Sequence, residues 1–265
     1  MDEEEISLVP FITEIGVYII VASLVLIVAS AVVVYPGIYY GRWKSRGPIF
    51  ELETKDHAKI EGMILEPKDP KTCKLTILFF HSNSGNLGSN IEFLKELNEV
   101  YNAYVLCIDY RGFGNNSGFP SESGLINDAE SIFDCILNDD RMKDTKKVVY
   151  GRSLGGSVAV ALAEKTKEID YLVLEDMSLT SKSMIKEKIR ILNKIPGFLM
   201  DMGLVLNPWN SEDRVKELKV PVLFITGSNI GTAEKLYKLC KSKDKMLMGV
   251  DDNFHKKMLK FFSDS

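Results

Sequence analysis

Ser153 lies in Gly151-Arg152-Ser153-Leu154-Gly155, a G-x-S-x-G spacing in which a chain turns sharply from strand to helix and exposes the central hydroxyl. The flanks suit such a turn. VVYG before it reads as a strand, and Gly155, Gly156, Ser157, Ala159, Ala161 and Ala163 after it let a helix approach that strand closely. A serine placed this way is a candidate nucleophile, and it needs a base within hydrogen-bond reach, most often histidine. The chain has three histidines. His57 falls in an early pair of strands and reads as a surface side chain. His81 closes an apolar run at a turn, where a structural task is expected. His255 follows the last apolar run, in GVDDNFHKKM, after the serine and after any acid, which is the chain order of this motif. His255 is therefore the expected base. The oxyanion of a tetrahedral intermediate calls for backbone donors. The Leu154 amide, directly after Ser153, is one; the Asn83 amide, in the turn His81-Ser82-Asn83-Ser84-Gly85-Asn86, is the other.

Composition excludes several other chemistries. A chain of 265 residues that is 45% hydrophobic and 26% charged fits a folded domain, not a disordered, collagen-like or rod-like one. The net charge of −4 is uneven: Asp2, Glu3, Glu4, Glu5 and Glu14 precede the first Lys or Arg, so the remainder is nearly neutral. Such a body carries no electrostatic footprint for nucleic acid. Cys73, Cys107, Cys135 and Cys240 lie far apart with no CxxC pair, which reads as thiols in a reducing compartment rather than disulfides or metal ligands. No metal and no organic cofactor is expected, since serine–histidine chemistry supplies its own nucleophile and base.

The elements that must position these residues follow a rhythm. IFELETKDHAKIEGMILEP (49–67) alternates well enough for a strand pair. Six short apolar runs follow: LTILFF, AYVLCIDY, KKVVYG, YLVLED, PVLFITG and KMLMGV. Helical stretches such as NIEFLKELNEVY and GLINDAESIFDCILND separate the earlier runs. Continuous apolar strands alternating with helices predict a parallel sheet covered on both faces, a doubly wound α/β domain over 47–265. Residues 177–220 are Met-, Ile- and Leu-rich and too long for an ordinary crossover, so they are read as a small helical lid.

Ahead of this domain, residues 15–40 hold no charged side chain, after an acidic tail over 1–14. About 20 helical residues cross a hydrocarbon core of roughly 30 Å, so the stretch predicts one uncleaved transmembrane helix. A signal peptide would have a basic start and a shorter apolar core. Pro36 and Gly37 would end the span, with Tyr35, Tyr39, Tyr40 and Trp43 at headgroup level. Arg42, Lys44 and Arg46 follow it and nothing basic precedes it, which places the domain on the cytosolic side of a single-pass membrane protein whose partner is the lipid bilayer. Removal of 1–46 is expected to leave a domain that folds by itself.

From about residue 49 to the C-terminus the sequence resembles the membrane-anchored α/β-hydrolase-domain proteins, within the wider serine-aminopeptidase-like hydrolases. The resemblance rests on FFHSNSGN, DYRGFGNNSGFPSESGLINDA, GRSLGGSVA, PVLFITG and the late His255. It implies an α/β-hydrolase sheet and hydrolysis of acyl esters or thioesters near a membrane, including lipid substrates and removal of palmitate from a lipidated protein. The chain departs from the family at three places. Ser82 stands where the family has Gly after the histidine of the oxyanion turn. Asn253 and Phe254 stand where a Gly usually precedes the base. After PVLFITG the usual acid is missing: Ser228-Asn229-Ile230-Gly231-Thr232 carries no carboxylate. Asp176, ending the neighbouring strand, is the substitute orienter of His255. Asn229 is the alternative, as a neutral partner. Glu175 should point away along the strand. Loss of the usual acid leaves a second reading open, a non-catalytic hydrolase-fold protein that binds a lipid or protein partner.

Overall fold

The computed structural model describes residues 47–177, 180, 208–227, 230–251 and 253–264, together with 16–18, 20, 21, 24, 35 and 43. Strands β1 (Ile49–Glu53) and β2 (Lys59–Leu65) form the expected antiparallel pair, turning at His57, whose φ is 64°. The six apolar runs become β3 (Leu75–Phe80), β4 (Tyr104–Ile108), β5 (Lys146–Arg152), β6 (Tyr171–Glu175), β7 (Val222–Thr226) and β8 (Lys245–Gly249). They pair in parallel, and the sheet order is β1-β2-β4-β3-β5-β6-β7-β8, with β2 antiparallel to β4. Strands β3 and β4 are buried along their whole length because helices cover both faces.

Helices α1 (Leu87–Tyr101) and α6 (Phe254–Asp264) lie on one face, where Leu94, Leu97, Met258 and Phe261 meet Phe79, Val173 and Ile225. On the other face α2 (Glu122–Asn138), α3 (Leu154–Lys165), α4 (Ser211–Glu217) and α5 (Ile230–Leu239) close a second core around Phe80, Leu106, Leu174 and Phe224. Polar side chains start two of these helices where the sheet ends. Asn86 caps α1 in a capping box with Ser89, and Ser121 accepts from the Gly124 amide at the start of α2.

The two outer segments depart from their sequence reading. The predicted span 15–40 lies mostly outside the described residues, and among those described no helix is long and apolar enough to cross a membrane. Tyr35, expected at headgroup level, is fully buried against the domain: its ring meets Phe113 edge-on at 6.3 Å and its hydroxyl accepts from Trp209 Nε1 at 2.9 Å. An amphipathic ring finds both an apolar wall and a polar partner there. Trp43 likewise donates its indole N–H to Asp109 Oδ2 at 2.7 Å. Most of the predicted lid, residues 178–207 apart from Thr180, also lies outside the described residues. Its last part belongs to the core: Trp209 and Val215 are buried, and Ser211 Oγ donates to Ser157 Oγ on α3 at 2.8 Å.

Candidate active site

The turn from β5 into α3 is built by two close approaches. A Cβ on Gly151 would stand 2.2 Å from the Gly155 carbonyl oxygen, and one on Gly155 would stand 2.0 Å from that of Phe80. Only glycine fits either position, and their absence of side chains lets α3 start directly against β3 and β5. Between them Ser153 takes φ 54° and ψ −113°, a backbone conformation that L-residues rarely adopt. Its amide donates to Glu175 O at 2.8 Å and its carbonyl accepts from Gly156 N at 3.0 Å. The hydroxyl does not cap the helix and stays half-buried at the carboxyl edge of the sheet. Leu154, the first residue of α3, has no acceptor for its amide within the helix, and the positive end of the helix dipole falls there.

The turn after β3 is held from beneath by a carboxylate that the sequence did not single out. Asp109, fully buried at the end of β4, accepts from the Leu87 amide at 2.6 Å as well as from Trp43. His81 is fully buried above it, with Nε2 3.3 Å from Asp109 Oδ1 but out of line for a hydrogen bond. His81 Nδ1 lies 2.8 Å from Ser82 O, and its carbonyl accepts from the Tyr110 hydroxyl at 2.9 Å. Burial pushes the Tyr110 phenol well above its usual range, so it remains a donor. These bonds fix the turn that carries the buried Asn83.

Asp176 follows β6 with φ 46°, and its Oδ1 accepts from the Gly227 amide at 2.8 Å. The side chain is thereby turned toward the connection after β7, the place where the sequence lacks its carboxylate. Asn229, the alternative orienter, lies outside the described residues. Glu175 points elsewhere, as alternation requires: its Oε2 accepts from Tyr150 Oη and Arg152 Nε, each at 2.7 Å. The Arg152 guanidinium rests 4.3 Å from the centre of the Phe93 ring.

His255 is where geometry and sequence part. It occupies the first turn of α6 and is brought to α1, with Nδ1 2.9 Å from Tyr101 Oη and Nε2 2.8 Å from Glu96 Oε1. Both ring nitrogens are thus engaged away from Ser153 and Asp176. Asp251 pairs with Lys257, in the solvated turn expected of it. His57 is exposed and bonds Glu53 at 2.7 Å. Chain order pointed to His255, but nothing in the order of residues reveals that α1 offers it a carboxylate and a phenol. The signal for Asp109 was available in the DYRGFG block; the one for Trp43 was not, because its partner lies 66 residues away.

The sheet order, the elbow and the helices on both faces define an α/β hydrolase, and the chain belongs to that family. A family model described as alpha/beta hydrolase fold matches residues 76–238. The chain is 33% identical over 179 residues to protein bem46 of Schizosaccharomyces pombe, a match spanning 67% of this chain and 58% of that protein. It is 30% identical over 214 residues to an uncharacterized membrane protein of Saccharomyces cerevisiae, across 77% of this chain and 72% of that one. Among solved structures, an esterase of Pyrococcus furiosus superposes with TM-score 0.64 at 19% identity, over 82% of this chain and 89% of that one. A soluble variant of monoglyceride lipase from Saccharomyces cerevisiae gives TM-score 0.62 at 16% identity, over 87% and 97%. At these identities the two structures speak for the fold.

Proposed function

We propose that the protein is a membrane-anchored serine hydrolase of acyl esters or thioesters, its substrates including lipids or lipidated proteins. One observation carries this reading: Ser153 is held at φ 54° between two glycines that admit no side chain, with its hydroxyl at the amino end of α3. A strained backbone in that position is what exposes a nucleophile. Ser153 Oγ attacks the acyl carbonyl while His255 takes its proton, and the Leu154 and Asn83 amides receive the oxyanion. His255 then protonates the departing alcohol or thiol. Water, deprotonated by the same imidazole, releases the acid and regenerates Ser153. Asp176 orients the imidazole. For this cycle His255 must leave Glu96 and Tyr101, through a rearrangement of the turn at 250–255. The chain is anchored by its apolar N-terminal stretch, with the domain on the cytosolic side as Arg42, Lys44 and Arg46 direct.

The contacts of His255 favour a second reading, a hydrolase-fold protein without catalysis that binds a lipid or protein partner. Labelling by a fluorophosphonate probe separates the two. In the catalytic reading the full chain is labelled, Ser153→Ala is not, and Glu96→Ala is labelled faster because the imidazole loses one competitor. An unlabelled wild type and an unlabelled Glu96→Ala establish the non-catalytic reading.

A further inference from the structure

Among the described residues of the domain, three large apolar side chains are left more than half exposed, and all three lie along one edge. Phe119 is 64% exposed, Val250 59% and Ile230 58%. Phe119 is on the connection leaving β4, Ile230 opens α5 just after β7, and Val250 directly follows β8. In the sheet order they flank β5, whose carboxyl end carries Ser153. Single exposed apolar residues are ordinary. Their meaning here comes from where the apolar N-terminal stretch ends.

Residues 15–34 are 20 in number and uncharged, enough for about 30 Å of helix. Their described side chains Val17, Tyr18, Ile20, Val21 and Leu24 are each more than half exposed, so the domain does not cover them. The next residue, Tyr35, is buried at the same edge, against Phe113 of the β4 connection and Trp209. Trp43 is bonded to Asp109 at the end of β4. Each residue of chain spans at most about 3.5 Å, so no slack separates the end of the apolar stretch from the carboxyl edge of the sheet.

We propose that the carboxyl edge of the sheet is the membrane-contact face of the domain, with Phe119, Ile230 and Val250 set into the headgroup and outer acyl region of the leaflet that Tyr35 adjoins. This rests on the reading of residues 15–34 as the anchor. Apolar side chains entering that layer are stabilised by leaving water. Ser153 then opens toward the bilayer, and an acylated amphiphile reaches it without its chain crossing water.

Tryptophan fluorescence in vesicles tests the orientation. The full chain is reconstituted in phosphatidylcholine, with or without brominated acyl chains, as Phe119→Trp, Ile230→Trp, Val250→Trp and, for comparison, Val100→Trp. Val100 is also exposed but lies in the last turn of α1, at the opposite end of the strands. After the emission of Trp43 and Trp209 is subtracted, brominated lipid should remove a several-fold larger share at 119, 230 and 250 than at 100. Equal loss at all four positions overturns the proposal, as does no loss at the three edge positions. Washing the vesicles with alkaline carbonate beforehand keeps the two ideas apart. A chain that washes off overturns the anchor and the orientation together, whereas a chain retained but unquenched overturns the orientation alone.

Discussion

The backbone at Ser153 is dictated by its immediate neighbours: Gly151 and Gly155 are two residues either side, and their missing side chains decide the turn. The direction of an imidazole depends on what another helix presents, and Glu96 and Tyr101 come from α1, more than 150 residues earlier. Asp176 lies between these cases. Its place at the end of β6 follows from the strand pattern, while its turn toward Gly227 depends on a backbone amide 51 residues further along the chain. In the catalytic reading, Asp176→Asn should lower kcat by about 10⁴-fold, the size of effect seen when the orienting aspartate of a triad is made neutral. KM should change little, since the side chain orients the base and does not touch substrate. Steady-state ester turnover checks this, and an unchanged kcat transfers the orienting role to another residue.

At the scale of elements, the strands were readable because continuous apolar runs have one physical explanation, burial on both faces. Their pairing order was not, since β4 and β2 meet through contacts that no local pattern encodes. One device that joins the hairpin to the helical layer shows how such contacts are secured. Arg111 donates in bidentate fashion to Asp56 in the β1–β2 turn, at 2.6 and 2.8 Å, and to Asp128 on α2 at 2.6 and 2.9 Å. The guanidinium holds Asp56 well below the usual carboxylate range, whereas burial lifts Asp128 above it. The signs are opposite. Asp56 adds stability that is complete above the unfolded carboxylate value near 4 and is lost as pH falls toward its folded value. Asp128 is the reverse, since burying its charge is a penalty at neutral pH that acid relieves. Asp56→Asn should therefore lower Tm at pH 7 by a few degrees, because a side chain 39% exposed is screened by solvent and is worth on the order of 1 kcal/mol. The gap to wild type should narrow as pH falls below about 4. Thermal melts across that range decide it, and a gap that widens in acid contradicts the assignment.

For the whole molecule, Tyr35 and Trp43 precede the domain as composition delimits it and are held by contacts with it. Tyr35 and Trp43 read as interfacial aromatics yet pack with the domain, so a chain beginning at residue 47 loses a buried member of its core and a partly buried one packed against it. Against one beginning at residue 35, its Tm should be on the order of 10 °C lower, since each lost side chain removes roughly 2 kcal/mol of burial or charge-assisted hydrogen bonding. Circular dichroism melts of the two give the comparison, and equal Tm values set the boundary at 46. The same arrangement bears on synthesis. Tyr35 leaves the ribosome early, but its partner Trp209 follows 174 residues later, and Asp109 comes 66 residues after Trp43. Contacts of such sequence separation form slowly, because the loop they close is long. During translation the apolar stretch therefore emerges well before the interior that receives Tyr35, which stays without its Trp209 partner until most of the domain has been made. Until then the nascent chain presents an incomplete core with unpaired strand edges, a state prone to aggregation.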